Sequence, residues 1–313
     1  MKGPEVIGFG ALNIDHLYRV EEIVEDGERV IEEMEISPGG SAANTIYGLA
    51  KLGIRTGFIG AVGEDEWGRK MLQDFTQSGV DISQIKLKAS TTGVAICLSD
   101  KAGRRSLYIM PGANNLLEED DLDLDYIKGA KILHLSSFVG EKQYQMQLAL
   151  IKEIDPALKL SFSPGALYVA WGLEALKPIL EKTFVLFLNQ DEIKELTGQE
   201  LESGAESCLR AGCQIVAITL GRGRKVGSVL ASAYIKDSEN EYLVEAKTRD
   251  IKVVDTTGAG DAFAAGFLYG LLKGKGIEEC AKLGDTLAQC CIGAMGARKG
   301  LPSSDGLEHL TQA

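Results

Sequence analysis

Two aspartates with three small residues just before the second, in Asp255-Thr256-Thr257-Gly258-Ala259-Gly260-Asp261, form the stretch of this chain best suited to chemistry. The apolar run Ile251-Lys252-Val253-Val254 before it reads as a buried strand end. Ala262 to Leu272 after it has the length and i, i+4 apolar spacing of a helix. A small-residue turn between strand and helix aims unpaired backbone N–H groups outward at a helix N-terminus, where the dipole also favours an anion. Gly258 and Gly260 let a phosphate reach the backbone with no Cβ in the way. Asp261 does not suit a pure binding loop, because its carboxylate would repel the phosphate. It makes sense if a hydroxyl between the carboxylate and phosphorus has to lose a proton. The competing reading is a helix N-cap, a frequent role for Asp.

Other candidates lie upstream. Val6-Ile7-Gly8-Phe9-Gly10-Ala11 reads as a first strand ending in Leu12-Asn13-Ile14-Asp15. Asn13 and Asp15 alternate around Ile14, so both face one way at the C-terminal end of a strand, where open α/β sheets bind ligands. A carboxylate there can accept hydrogen bonds from sugar hydroxyls; the plainer reading is a turn. Gly8-x-Gly10 is not a dinucleotide fingerprint, because Asn13 stands where the third glycine belongs. Pro38-Gly39-Gly40-Ser41-Ala42-Ala43-Asn44 opens a helix to about Leu52, closed by Gly53. Gly39 and Gly40 allow a ligand to lie on the backbone, and Asn44 can hydrogen-bond it. Glu141 follows a strand end and is a further candidate for substrate hydroxyls, whereas His134, inside an apolar run, reads as a core histidine.

Short apolar runs at Ile132–Leu135, Leu158–Phe162, Val185–Leu188 and Ile215–Thr219, separated by helical segments, have the pattern of a parallel sheet covered on both faces. Residues 16–38 are polar with alternating apolar positions, and Thr91–Leu98 with Arg105–Met110 flank a turn at Asp100–Gly103 as a β-hairpin. The fold class expected is α/β: a mostly parallel sheet flanked by helices, with a small β-sheet lid. Its core comprises 1–15, 39–87 and 112–313, and the lid 16–38 and 88–111.

At 313 residues with 45% apolar and 25% charged residues, the chain has the composition of a soluble globular protein. A net charge of −12 argues against nucleic acid as the partner. Six cysteines without C-x-x-C spacing and three histidines argue against zinc and suit small core residues in a reducing compartment. The N-terminus is a poor signal peptide and no uncharged run reaches the ~18 residues of a membrane span, so the expectation is a cytoplasmic protein. The chain has no Gly-x-x-x-x-Gly-Lys-[Ser/Thr] loop.

Asp255–Asp261 resembles the C-terminal signature of the ribokinase family, the phosphofructokinase-B type of carbohydrate and nucleoside kinases. Gly39–Asn44, followed by Leu52-Gly53 and Gly60-Ala61-Val62-Gly63-Glu64-Asp65, resembles its N-terminal signature, and the likeness covers essentially the whole chain. The resemblance implies an ATP-dependent kinase acting on the hydroxyl of a small carbohydrate, with Asp261 as general base and the Gly258, Ala259 and Gly260 amides as anion hole. It implies an acceptor gripped by Asn13, Asp15, Gly39, Gly40 and Asn44. Asn189 and Glu192 match the Asn-x-x-Glu motif that organises Mg²⁺ and the phosphates, Glu192 acting through water; a helix cap is the alternative. Thr219-Leu220-Gly221-Arg222-Gly223 resembles the turn that cradles the nucleotide, although Arg224 stands where the family usually has glycine. Arg224 is chemically welcome near a triphosphate. Gln289 lies where the family walls the adenine, and Asp255 and Thr257, with carbonyls near Gly296, are candidates for a K⁺ site. Arg104 or Arg105 is expected to reach the substrate or the γ-phosphate, the other being a hairpin tip. Two other readings stay open: a nucleoside kinase with a base pocket from Ile36, Phe138 or Met110, and a non-catalytic sugar- or nucleotide-binding regulator. A homodimer through the lid's unpaired strand edges is also expected.

Overall fold

The computed structural model describes residues 3–102, 104–246 and 253–312. Nine strands make the main sheet: β1 Val6–Phe9, β4 Thr56–Gly63, β5 Val80–Lys88, β8 Ile132–Ser136, β9 Lys159–Ser163, β10 Thr183–Asn189, β11 Ile215–Val226, β12 Val229–Asp237 and β13 Glu241–Glu245. A separate sheet holds β2 Asn13–Val20, β3 Ile31–Gly39, β6 Gly93–Asp100 and β7 Arg105–Met110. The main order is β13-β12-β11-β10-β9-β8-β1-β4-β5, and the small one β3-β2-β6-β7. From β11 to β5 every neighbour is parallel; β12 and β13 add an antiparallel edge.

Because both faces of the parallel strands are covered, their residues alternate between two apolar cores rather than between core and water. Val6, Val185, Phe187, Ile215 and Ala217 enter one core; Ile7, Phe9, Leu186, Leu188, Val216 and Ile218 enter the other. The helix Ala259–Leu272 is apolar almost all round and sits inside the first core against the helices Ser41–Lys51 and Ile277–Cys291.

The chain leaves β1 toward β4 and β5 on one side and returns to β8 on the other, so the strand order reverses between β1 and β8. Crevices beyond the carboxyl ends of strands at such a reversal are where open α/β sheets bind ligands. Here the space is tight: a Cβ on Gly10 would lie 2.3 Å from Ser136 Oγ, which accepts from the Ala42 amide at 3.1 Å. That contact fixes the start of the Ser41–Lys51 helix over the reversal point.

Three local expectations differ from the structure. Ile251 and Lys252 lie outside the described residues, and Val253-Val254 is irregular rather than strand. The Val254 amide is taken by the Ile292 carbonyl (2.8 Å) and its carbonyl by Arg19 (3.0 Å). Asn13 and Asp15 do not end β1; they open β2, because the chain turns at Gly10–Leu12 into the small sheet. The segment after Thr219 is not a compact turn but a continuation of β11 to Val226, with a register shift between Thr219 and Arg224.

Candidate active site

Asp261 lies in the first turn of the Ala259–Leu272 helix. Its two carboxylate oxygens accept from Ser41 Oγ at 2.7 Å and Asn44 Nδ2 at 2.9 Å, and its carbonyl from Thr45 Oγ1 at 3.3 Å. Two helix N-termini from opposite ends of the sequence are thereby tied together at one carboxylate. The N-cap is Gly258, so the capping role weighed for Asp261 is not the one its side chain performs. Burial raises the Asp261 carboxyl to about 6, against the Asn44 and Ser41 hydrogen bonds and the charges of Arg105 and Arg298, which lower it.

Gly258 has φ +76°, and a Cβ there would lie 2.2 Å from that of Ala297. Its glycine is therefore required by the turn and by the neighbouring loop. A Cβ on Gly260 would meet nothing within 4 Å, so that backbone fronts open space. The Ala259 amide turns inward to the Thr256 carbonyl at 3.2 Å, which makes it a poorer outward donor than the sequence suggests.

Asp15 approaches from the small sheet. A Cβ on Gly39 would lie 2.1 Å from Asp15 Oδ1, so this glycine makes the room for the carboxylate. Gly40, at φ +97°, would bring a Cβ within 2.2 Å of the Ala11 carbonyl. Burial raises Asp15 to about 7, opposed by Arg298 and Arg105 and reinforced by Asp261 and Asp255. Asn13 is buried, its Oδ1 accepting from Asn114 Nδ2 at 3.0 Å; Asn114 also brackets the Leu12 amide and carbonyl. Sequence reading overlooked Asn114, Ser41 and Arg298. Ser41 sat within a quoted motif but was read only as part of a helix start.

Arg298 is 7% exposed. Its Nε donates to Asn44 Oδ1 at 2.9 Å and Nη2 to the Gly39 carbonyl at 3.4 Å, while Nη1 pairs with Asp74. Tyr47 and Phe75 lie 5.0 and 5.2 Å from the guanidinium. A buried charge is tolerated only when paired and hydrogen-bonded in this way. In the same loop the Gly296 amide donates to Asp255 Oδ2 at 2.9 Å, and Asp255 Oδ1 accepts from the Thr257 amide and hydroxyl at 3.0 and 2.9 Å. Asp255 thus fastens the turn before the Ala259–Leu272 helix to the 293–300 loop.

Asn189 and Glu192 form a reciprocal capping box: Asn189 Oδ1 accepts from the Asp191 and Glu192 amides, and Glu192 Oε2 from the Asn189 amide, all at 2.9 Å. Burial raises Glu192 to about 7, and the charge of Asp261 adds to it, so the cap and the Asp261 carboxylate share one electrostatic environment. Thr219 stands beside Asn189 in the β10–β11 register. Gly221 and Gly223 follow at φ +60° and +105°. Arg224 pairs with Glu200 at 3.1 Å, not with a site group. Gln289 donates to Asp285 along its helix. Glu141 is exposed at the start of its helix, and no described bond ties it to the Asp261 cluster.

Arg104 pairs with Asp100 at 2.7 Å and is the hairpin-tip arginine; the charge of Arg105 is the one that lowers Asp15 and Asp261. His134 is buried against Ser161 (2.8 Å) and held down to about 3 by burial, so it is a neutral core residue. The apolar residues considered for a base pocket do not converge. Phe138 packs in the core 5.4 Å from Phe9, Ile36 packs on the other core, and Met110 is exposed on the opposite face of the small sheet from Asp15. Two cavities, of ≈ 1040 and ≈ 810 Å³, are lined by other residues, such as Lys275 and Leu307 in one and Lys128 and Asp155 in the other.

A carboxylate at a paired helix N-terminus, beyond the carboxyl ends of a parallel sheet and beneath a separate small sheet, defines a ribokinase-like α/β phosphotransferase. Residues 4–304 match the pfkB family of carbohydrate kinases, and the chain belongs to that family. It is 40% identical over 260 residues to an uncharacterized sugar kinase of Archaeoglobus fulgidus, covering 82% of this chain and 99% of that one. It is 30% identical over 306 residues, 96% of both chains, to an ATP-dependent ribose-1-phosphate kinase of Halopiger xanaduensis. The crystal structure of ribokinase from Thermotoga maritima superposes with a TM-score of 0.82 at 25% identity, covering 99% of this chain and 100% of that one. The chain is accordingly an ATP-dependent sugar or nucleoside kinase. Among the described residues no helix is long and apolar enough to cross a membrane.

Proposed function

We propose that this kinase transfers the γ-phosphate of ATP to a hydroxyl of a small carbohydrate, with Asp261 as general base. The observation that carries the reading is the Asp261 carboxylate, held by Ser41 and Asn44 at the start of a helix and within the field of Asp15. The acceptor lies on Gly39 and Gly40, with Asn13, Asp15 and Asn44 as its hydrogen-bonding partners and the small sheet of β2, β3, β6 and β7 as its lid. Asp261 takes the hydroxyl proton as the new O–P bond forms; the bond to the bridging oxygen breaks, and ADP leaves. At about 6, the Asp261 carboxyl is ionised at neutral pH yet more basic than an exposed Asp, which suits a base in a reaction that asks mainly for positioning and electrostatics.

Gly258, Ala259 and Gly260 present the positive end of the helix to the transferring group, Gly260 most openly. Asn189 at the end of β10 and Thr219, Gly221 and Gly223 within β11 form the nucleotide side, with Gln289 on the adenine side. Glu192 fits Mg²⁺: it offers hard oxygens, its Oε1 takes no part in the capping box, and the negative charge of Asp261 acts on the same carboxyl. Mg²⁺, when bound, neutralises charge on the phosphates.

A sugar is favoured over a nucleoside because Ile36 and Phe138 are packed against the two cores and Met110 is exposed on the face turned away from Asp15. The test is ADP release from Mg-ATP against pentoses, hexoses, keto-sugar acids and nucleosides. A single sugar turned over supports the reading; turnover on nucleosides alone replaces it with the nucleoside kinase. ATP binding with no turnover on any acceptor favours the non-catalytic regulator.

A further inference from the structure

Arg298 is the most heavily buried cation described near the site, and nothing in the phosphoryl-transfer scheme above employs it. Its loop lies more than two hundred residues from Asn44 in sequence, yet its Nε donates to Asn44 Oδ1 at 2.9 Å. That contact decides which way the Asn44 amide faces. With Oδ1 committed to a cation, Nδ2 must point the other way, where it donates to Asp261 Oδ2 at 2.9 Å. An unrestrained amide could flip and present its oxygen to the carboxylate, turning an attraction into a repulsion. The arginine is itself immobilised: Asp74 on the Glu66–Ser78 helix pairs with Nη1, the Gly39 carbonyl accepts from Nη2, and Tyr47 and Phe75 hold the guanidinium plane. The planar fork supplies three contacts in fixed directions, which a lysine cannot reproduce.

We infer that Arg298 is a positioning residue for phosphoryl transfer, locking Asn44 so that its amide presents a proton to the Asp261 carboxylate and linking the 293–300 loop to the base. The inference rests on the assignment of Asp261 as base. Arg298 also holds the Gly39 carbonyl at the glycine that makes room for Asp15, so one side chain sets both the base and the floor of the acceptor site.

Asp261 is faced by Ser41 and Asn44 from one helix, by Arg105 from β7, by Arg298, and by the acidic groups Asp15, Glu192 and Cys291. Arg298→Lys keeps the charge and the aliphatic stem while removing the fork, so the loss falls on the orientation of Asn44. Releasing that amide removes a donor from the charged form of Asp261 and moves its titration to higher pH.

The test is a cycle of Arg298→Lys, Asn44→Ala and the double variant, read in two ways. In kcat, on the acceptor that wild-type enzyme phosphorylates, Arg298→Lys is expected to lose at least ~10-fold with the KM for ATP within ~3-fold. The acid limb of its pH profile moves up, and the same change costs under ~3-fold in the Asn44→Ala background. In thermal stability, which needs no acceptor, Arg298→Lys falls off more steeply than wild type between pH 5 and 8, and this extra slope vanishes in an Asp261→Asn background. Unchanged kcat and slope, or effects that multiply independently of Asn44, overturn the inference. Should Arg298→Lys not fold, Asp74→Asn loosens the arginine from outside the site and is expected to move kcat and the acid limb in the same directions; no movement overturns it. A wild-type enzyme without turnover on any acceptor defeats the proposed function and the kinetic arm with it, while the stability arm still decides whether Arg298 orients Asn44 toward Asp261.

Discussion

Replacing Asp261 with Asn should stabilise the fold at alkaline pH while abolishing turnover, and the size of the gain follows from the site. The Asp261 carboxyl titrates at about 6 in the fold against an ordinary 3.8, with burial the main cause. Between those values the folded chain holds a proton that the unfolded chain has lost, so stability falls as pH rises from about 4 to about 6 and is flat above that. At 1.36 kcal/mol per pH unit the charged carboxylate costs about 3 kcal/mol at pH 8. Asn removes that cost but satisfies only one of the two donors, Ser41 and Asn44, as acceptor, a loss of about 1 kcal/mol at any pH. The net gain at pH 8 is about 2 kcal/mol, or about 3 °C in Tm for a chain of this length. Near pH 4 the variant should be level with wild type or slightly less stable. Thermal melts of both proteins from pH 4 to 8 measure the difference directly, alongside kcat, which should drop at least ~10²-fold with ATP still bound. A Tm difference that does not change with pH would refute the buried-charge account; near-normal kcat would refute the base.

Gly39→Ala places a methyl 2.1 Å from Asp15 Oδ1, so the acceptor KM is expected to rise at least ~10-fold with little change in the KM for ATP, measured by steady-state kinetics. Gly258→Ala combines φ +76° with a clash against Ala297 and should destabilise by about 3 kcal/mol or more, read as a fall in Tm; a neutral result would mean the turn relaxes freely. Met34, Ile96, Tyr108 and Met110 leave an apolar outer face on the small sheet, and a second copy covering it should give a dimer by sedimentation velocity that Met34→Glu dissociates. A monomeric wild-type protein would reject that surface as the contact.

The elements and the chemistry available to them are legible in the order of residue types along the chain. Short apolar runs spaced by helical segments specify a parallel sheet buried on both faces, since only such a sheet hides continuous Val, Ile and Leu from water. Small residues before Asp261 specify a backbone that an anion can approach. Asn189 and Glu192 were legible equally as a cap and as a metal motif, because helix capping and ligand binding draw on the same oxygens; the structure forms the cap and also sets Glu192 in the field of Asp261. Local pattern failed where long-range contacts take over backbone groups. Val254 is not strand because Ile292 and Arg19 claim its amide and carbonyl, and Arg224 is drawn to Glu200 by a pairing that no spacing rule reveals.

How the pieces meet is set by long-range packing. Asn13 and Asp15 open the small sheet because the chain turns out of β1, and nothing local marks that turn as a change of sheet. Ser41 and Asn44 reach Asp261 across more than two hundred residues because two helix N-termini converge at the point where the strand order reverses. Arg298, one of two adjacent basic residues in a glycine-rich loop, carries no sequence signal at all: its neighbour Lys299 is exposed and pairs with Glu35. Burial distinguishes the two, and burial is a property of the assembled chain, because a guanidinium stays out of water only where Asp74, Asn44 and Gly39 have already been brought around it.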